Sequence, residues 1–416
     1  MRNGIPRHVL AALAAVSLVT ACATPSPAPT TSSPAARAPR ATTEPAPSPP
    51  ATSVSPEGCG HERGATTARA RTGAYYFDGW SGPLTSTLFQ GLVGGPYRSR
   101  EPLYGWQDDD PGTLETQLAW AHCAALDFFV FDWYHDPGRQ GQSYALLNTA
   151  LHLYQRSKDH HGVGFALMFV DNGPRWQVSP RDWSAIVAHW VEAYFKRPDY
   201  VRVDGKPLLV ILDAQWMLRT FGGPAGVNAA LAQLQALARA HGLPGVYVIA
   251  GALISPTYSH VKRLFLQGVH YDALTAYDYM YVYRQRPTAP SGPQPYADLV
   301  GTAESVWRVV AGHSPVPYVP AVSTGFDARP WGERVDGHTV WFRRSPVDVA
   351  GMANDALTWL DTHPRLQAGR PGRPLLFVTA WNELGEGDYI VPTRGDGFGY
   401  VDALAGVLAP GHGGTP

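Results

Sequence analysis

The 416 residues carry 33 Lys and Arg against 34 Asp and Glu, a net charge of -1, with only 16% of side chains charged. That balance gives no electrostatic footprint for nucleic acid and little attraction for acidic polymers, so neither is expected as a partner. Thirteen Trp and twenty Tyr supply flat apolar faces with hydrogen-bonding edges, surfaces on which sugar rings pack, although most such rings serve a core.

Arg2 and Arg7 lead into an uncharged apolar stretch from Val9 to Ala21, in the order of a secretory signal. The stretch is too short to span a bilayer. Val19-Thr20-Ala21-Cys22 resembles a bacterial lipobox, which implies removal of residues 1–21, lipid attachment to the Cys22 sulfur and an exported, membrane-anchored protein at the cell surface. An ordinary secreted protein cut near Ala21 or Ala23 is the other reading. Residues 22–56 are dominated by Pro, Ala, Ser and Thr and lack the large apolar side chains that would offset their ordering entropy, so they read as an extended spacer. The folded domain is expected over 57–408, as a monomer, with a flexible tail at 409–416. Apart from Cys22 the cysteines are Cys59 and Cys123, which in an exported protein form either one disulfide or two partly buried thiols.

Short apolar runs bounded by Gly, Pro and Asp occur at 73–77, 128–133, 165–171, 208–213, 246–251, 273–277, 316–322 and 375–381. Between them lie helical stripes. Trp183, Ile186, Val187, Trp190, Val191 and Tyr194 form one, and Val227, Leu231, Leu234 and Ala238 another. Ser345 followed by Pro346 and Asp348 starts a third, with Val349, Met352, Ala353, Ala356, Leu357 and Leu360 as its inward face. Apolar strands alternating with one-sided helices call for a parallel sheet covered by helices, and eight such units predict an α/β fold closed as a (β/α)8 TIM barrel. Asp204-Gly205 predicts a hairpin folding a short strand onto the fourth barrel strand. No Gly-rich phosphate fingerprint follows the first strand, which argues against a dinucleotide fold.

In such barrels, reactive side chains sit at the C-terminal ends of the strands. Polar residues cluster there: Asp78 and Trp80 after the first strand, Asp132 and Tyr134 at the second, Asp171 at the third, Asp213 at the fourth, Tyr277 at the sixth, Asp327 and Arg329 after the seventh, and Trp381 and Asn382 at the eighth. They are the candidate substrate-binding set. For each Asp, helix capping is the competing reading.

The eighth run ends in two carboxylates, Glu383 and Glu386, with Gly385 and Gly387 interleaved. On an extended strand, residues three apart face opposite sides. The glycines predict instead a turn or helical geometry, which brings such residues to about 5 to 6 Å, near the roughly 5 to 5.5 Å carboxyl separation of retaining glycosidases. A structural pair that caps the last helix or binds Arg394 is the alternative. The scattered histidines lack metal-binding spacing, and no cofactor or metal is expected.

Thr379-Ala-Trp-Asn-Glu-Leu-Gly-Glu-Gly387 resembles the Asn-Glu-Trp-x-Glu-Gly motif of the glycoside hydrolase family 99-like barrels, which include the WbsX-like bacterial proteins. The stretches 73–77, 129–134, 203–207, 273–277 and 325–329 resemble the other signatures of that group in the same order. The resemblance implies a (β/α)8 barrel that cleaves α-mannosidic linkages within an oligo- or polysaccharide with retention, through a transient 1,2-anhydro sugar. It implies Glu383 as the base for the 2-hydroxyl and Glu386 as the acid for the leaving oxygen. Leu384 stands where the motif has an aromatic, and Val391-Pro392 where Glu-Pro often follows. A glycan-binding lipoprotein without turnover and a glycosyltransferase-like assembly protein are the competing functions.

Overall fold

The structure, a computed structural model, describes residues 68–409 apart from 137, 139, 140, 142, 172–175, 177, 252–267, 285–290, 333–339 and 371. The expected signal segment, Cys22, the expected spacer, Cys59 and all of the expected tail except Ala409 lie outside the described residues.

All eight expected strands are present and run parallel. They are β1 (Arg71–Tyr76), β2 (Phe128–Tyr134), β3 (Gly164–Val170), β4 (Lys206–Ile211), β5 (Tyr247–Gly251), β6 (Ala273–Thr275), β7 in two pieces (Tyr318–Val319 and Ala321–Ser323), and β8 (Arg373–Thr379). Their nearly continuous burial is what helix cover on the outside and a filled interior require of a barrel strand. Each strand pairs with the next, and β1 pairs with β8 as well as β2.

The ring closes through β7. Tyr318–Val319 pairs with β6, whereas Ala321–Ser323 pairs with β8. Pro320 lies between the pieces: it has no N–H for a ladder, but its carbonyl still accepts from the Phe377 amide at 3.0 Å. The sequence predicted one run over 316–322, and proline chemistry divides it.

The helices that cover the ring include α1 (Pro111–Cys123), α2 (Thr149–Arg156), α3 (Pro180–Trp190), α4 (Ala214–Thr220), α5 (Pro224–Ala240), α6 (Met280–Arg284), α7 (Tyr296–His313), α8 (Pro346–Thr362) and α9 (Gly399–Leu408). The predicted stripes of α3, α5 and α8 are the buried faces. Ser345 caps α8 by accepting from the Asp348 amide at 3.3 Å and donating to its carboxylate at 2.7 Å. The predicted hairpin is there too. Arg202–Val203 pairs antiparallel with β4 across a turn in which Asp204 and Gly205 have φ of 51° and 78°. Cys123, in the last turn of α1, is disulfide-bonded; its expected partner Cys59 lies outside the described residues. No described helix is long and apolar enough to cross a membrane.

Candidate active site

After β8 the chain passes through a cis peptide at Thr379–Ala380 and enters a small hairpin in which Asn382–Glu383 pairs antiparallel with Asp388–Tyr389. Leu384, Gly385, Glu386 and Gly387 form its turn. The acid pair therefore sits on a β-hairpin rather than a helix, and the glycines explain why. A Cβ on Gly385 would stand 2.1 Å from the Trp331 ring, and one on Gly387 would stand 3.0 Å from the Asp327 backbone, at a φ of 68° that disfavours a side chain. The turn is pressed against the loop that follows β7.

Glu383 and Glu386 are 7% and 9% exposed, so both are nearly enclosed yet not sealed. Glu383 Oε1 accepts from the Tyr277 hydroxyl at 3.5 Å, while Oε2 is buried without a hydrogen-bond partner. Burial pushes the Glu383 carboxyl well above the ordinary range, and the negative charges of Asp132 and Asp388 push it further. Asp132 is raised likewise, by burial and then by Asp78 and Glu386, and its Oδ1 also has no partner. Asp388 is raised by burial and by Asp278, although it accepts from the Thr324 amide at 2.9 Å and hydroxyl at 2.6 Å. Each of these carboxyls thus disfavours ionisation of the next, and all three are held toward the protonated form.

Tyr277 and Tyr134 feel the same charges. Their hydroxyls are raised first by burial and then by Glu383, Asp132 and Glu386 together. Of the predicted set, then, Asp132, Tyr134 and Tyr277 gather with Glu383 and Glu386 at one mouth of the barrel.

Most of the other predicted substrate-binding residues hold partners within the protein. The Asp78 oxygens accept from the Ala150 and Leu151 amides, both at 2.9 Å, which makes Asp78 the anchor of α2. Asp213 caps α4 through the Gln215 and Trp216 amides at 2.8 and 3.0 Å. Trp80 is fully buried and donates to the Asn382 carbonyl at 2.8 Å. Trp381 is fully buried and donates to Gln117 of α1 at 2.9 Å. Asn382 brackets Phe77, accepting from its amide at 2.8 Å and donating to its carbonyl at 3.0 Å. Asp327 holds Arg329 in a two-point ion pair at 2.6 and 2.8 Å and also pairs with Arg100 at 2.5 Å; the Arg329 guanidinium lies 3.8 Å over the Trp341 ring. Asp171 lies at the end of β3, buried with neither carboxyl oxygen bonded, and is raised by burial and by Asp213.

The alternative partner for the acids, Arg394, binds Glu101 at 3.0 Å instead. Sequence reasoning missed Asp388, which is readable as the last carboxylate of Gly385-Glu-Gly-Asp388, the buried Arg100 and the half-buried Arg344. Arg344 donates to the carbonyls of Thr324 and Tyr389 at 2.7 and 2.6 Å and lies between the Tyr389 and Tyr400 rings. Among the described residues, no group of three or more His, Cys, Asp or Glu could hold a metal ion.

The protein is a closed (β/α)8 barrel with an acid-bearing turn after β8. The chain belongs to the family described as glycosyltransferase WbsX, whose model matches residues 175–404, more than half of the sequence. Among solved structures it is similar to a glycoside hydrolase-like protein, with 15% identity over 82% of this chain and 94% of that one at a TM-score of 0.55. It is also similar to the family 99 endo-alpha-mannosidase from Bacteroides thetaiotaomicron, with 15% identity over 78% of this chain and 87% of that one at a TM-score of 0.51. At this identity the likeness speaks to the fold. No curated protein matches the sequence.

Proposed function

We propose that the chain is a glycoside hydrolase that cleaves an α-linked, mannose-containing glycan internally and with retention. The observation that carries this is the Glu383–Glu386 turn at the barrel mouth, nearly enclosed and set against Asp132 and the Tyr277 hydroxyl. Glu383 takes the proton from the sugar's 2-hydroxyl. The freed oxygen attacks the anomeric carbon, the glycosidic bond breaks, and Glu386 gives its proton to the leaving oxygen. Water then opens the anhydro ring, giving its proton to Glu386 while Glu383 returns the first proton to O2. A hydroxyl is a reluctant acid, so a base with a raised pKa is the stronger acceptor, and the surroundings of Glu383 act in that direction. The same surroundings make Glu383 take up its proton at a higher pH than an ordinary glutamate, which predicts a fall in rate on the acid side.

The name of the matching family favours a second reading, glycosyl transfer to an acceptor sugar. The sequence lacks the Gly-rich phosphate cradle that would hold a nucleotide-sugar donor, which favours water. The experiment is to incubate the purified protein with α-mannans and other envelope glycans and look for shortened fragments. Glu386→Gln should reduce release by at least about a hundredfold while glycan binding persists. Wild-type release from that variant would refute the assignment, and saturable binding with no release from any glycan would favour the binding-only alternative. We further propose that Cys22 anchors the chain to the membrane as a monomeric lipoprotein; incorporation of labelled fatty acid that persists in Cys22→Ala would count against the anchor.

A further inference from the structure

We propose that Arg100 is the positioning residue of the acid pair, a single guanidinium that fixes where Glu383 and Glu386 stand. The inference rests on the hydrolase reading of that pair. Arg100 belongs to a short 3-10 turn, Arg98–Arg100, in the long connection between β1 and α1. It is 7% exposed.

Its Nη1 donates to the carbonyls of Leu384 and Asp327, both at 2.9 Å, and its Nη2 donates to Asp327 Oδ2 at 2.5 Å. Its Cζ lies 4.8 Å over the Tyr97 ring. Leu384 is the residue next to Glu383 in the turn, and the Asp327 amide donates to the Glu386 carbonyl. Three segments distant in sequence are thus pinned at one point: the β1–α1 loop, the loop after β7 and the acid turn. Only a planar fork with several N–H groups can serve two carbonyls and a carboxylate at once; the ammonium of Lys carries charge but cannot span them.

The groups that act on Glu383 across the mouth are Asp132, Asp388 and Tyr277, with Arg344 acting on Asp388. Their influence depends on the turn being held down. Freed at Leu384, the turn rises, water enters and the Glu383 carboxyl returns toward the ordinary range.

The test reads Glu383 directly, as the carboxyl carbon titration of glutamate-labelled protein in wild type and Arg100→Lys. Lys preserves the charge, and losing the charge altogether would raise the midpoint, so a fall reports position. A fall of at least about one pH unit is expected, with thermal unfolding remaining cooperative. An unchanged midpoint in folded Arg100→Lys overturns the proposal. Should that variant fail to fold, Tyr97→Leu, which removes the ring under the guanidinium without altering charge, should lower the midpoint by a smaller amount. An unmoved midpoint there also overturns it. No substrate enters the titration, so a wild type that releases no sugar sinks the hydrolase reading and leaves this test standing.

Discussion

Gly385→Ala is the smallest change that reaches the acid turn without touching an acid. The new methyl would lie 2.1 to 2.6 Å from three atoms of the Trp331 ring. Carbon atoms in good contact sit at about 3.5 to 4 Å, so the ring or the turn has to retreat by roughly 1.5 Å. The ring is not free to do so. Its Nε1 donates to the Leu88 carbonyl at 2.9 Å, and it stacks on Trp80 at 6.3 Å between ring centres. Overpacking of this kind costs about 1 to 3 kcal/mol, and breaking the Leu88 bond adds about 1 kcal/mol. If the turn gives way instead, Glu383 and Glu386 move, and a displacement of about 1 Å at a reacting group costs on the order of a hundredfold in rate. Thermal melts and glycan-release rates measured together distinguish the routes: a lower melting temperature with normal turnover means Trp331 moved, and lost turnover means the turn did. Wild-type values of both would refute the packing argument.

Two further predictions concern protons. Asp132 is the largest influence after burial on the raised Glu383 carboxyl, so Asp132→Asn should move the acid limb of the rate profile about one unit toward lower pH; no move, or one toward higher pH, contradicts the arrangement. Burial raises Asp78 from 3.8 to about 7, so the native protein keeps a proton that the unfolded chain has released, and stability falls as pH rises through that interval. The decline in melting temperature between about pH 5 and pH 7 should be shallower in Asp78→Asn, and an equal or steeper decline would show that Asp78 is not its source.

Much of the fold was legible because burial on both faces writes a barrel strand as an apolar run, and one-sided burial writes a helix as a stripe. The runs ending at Tyr76, Tyr134 and Thr379 and the faces of α3, α5 and α8 follow those patterns. The acids were legible for the same reason, as charges placed where a buried strand stops. The rest of the rim was not, because an Asp at a strand end looks the same whether it meets a substrate or a helix. Asp78 and Asp213 were spent on amides of α2 and α4, while Asp132 stayed at the mouth. Trp80 and Trp381 turned inward, where their N–H groups found Asn382 and Gln117. Arg100 left no trace in the sequence: it lies in an irregular loop, and its partners Asp327 and Leu384 are 227 and 284 residues away.

The break at Pro320 leaves the ring with a seam between β6 and β8, each bonded to a different half of β7. Tyr277 follows β6 and Glu383 follows β8, so the hydroxyl-to-carboxylate contact between them crosses that seam, as does the bond from the Thr379 hydroxyl to the Tyr277 carbonyl. Any loosening of the joint would draw Glu383 away from Tyr277, which makes the placement of that carboxylate answerable to the soundness of the barrel's own closure.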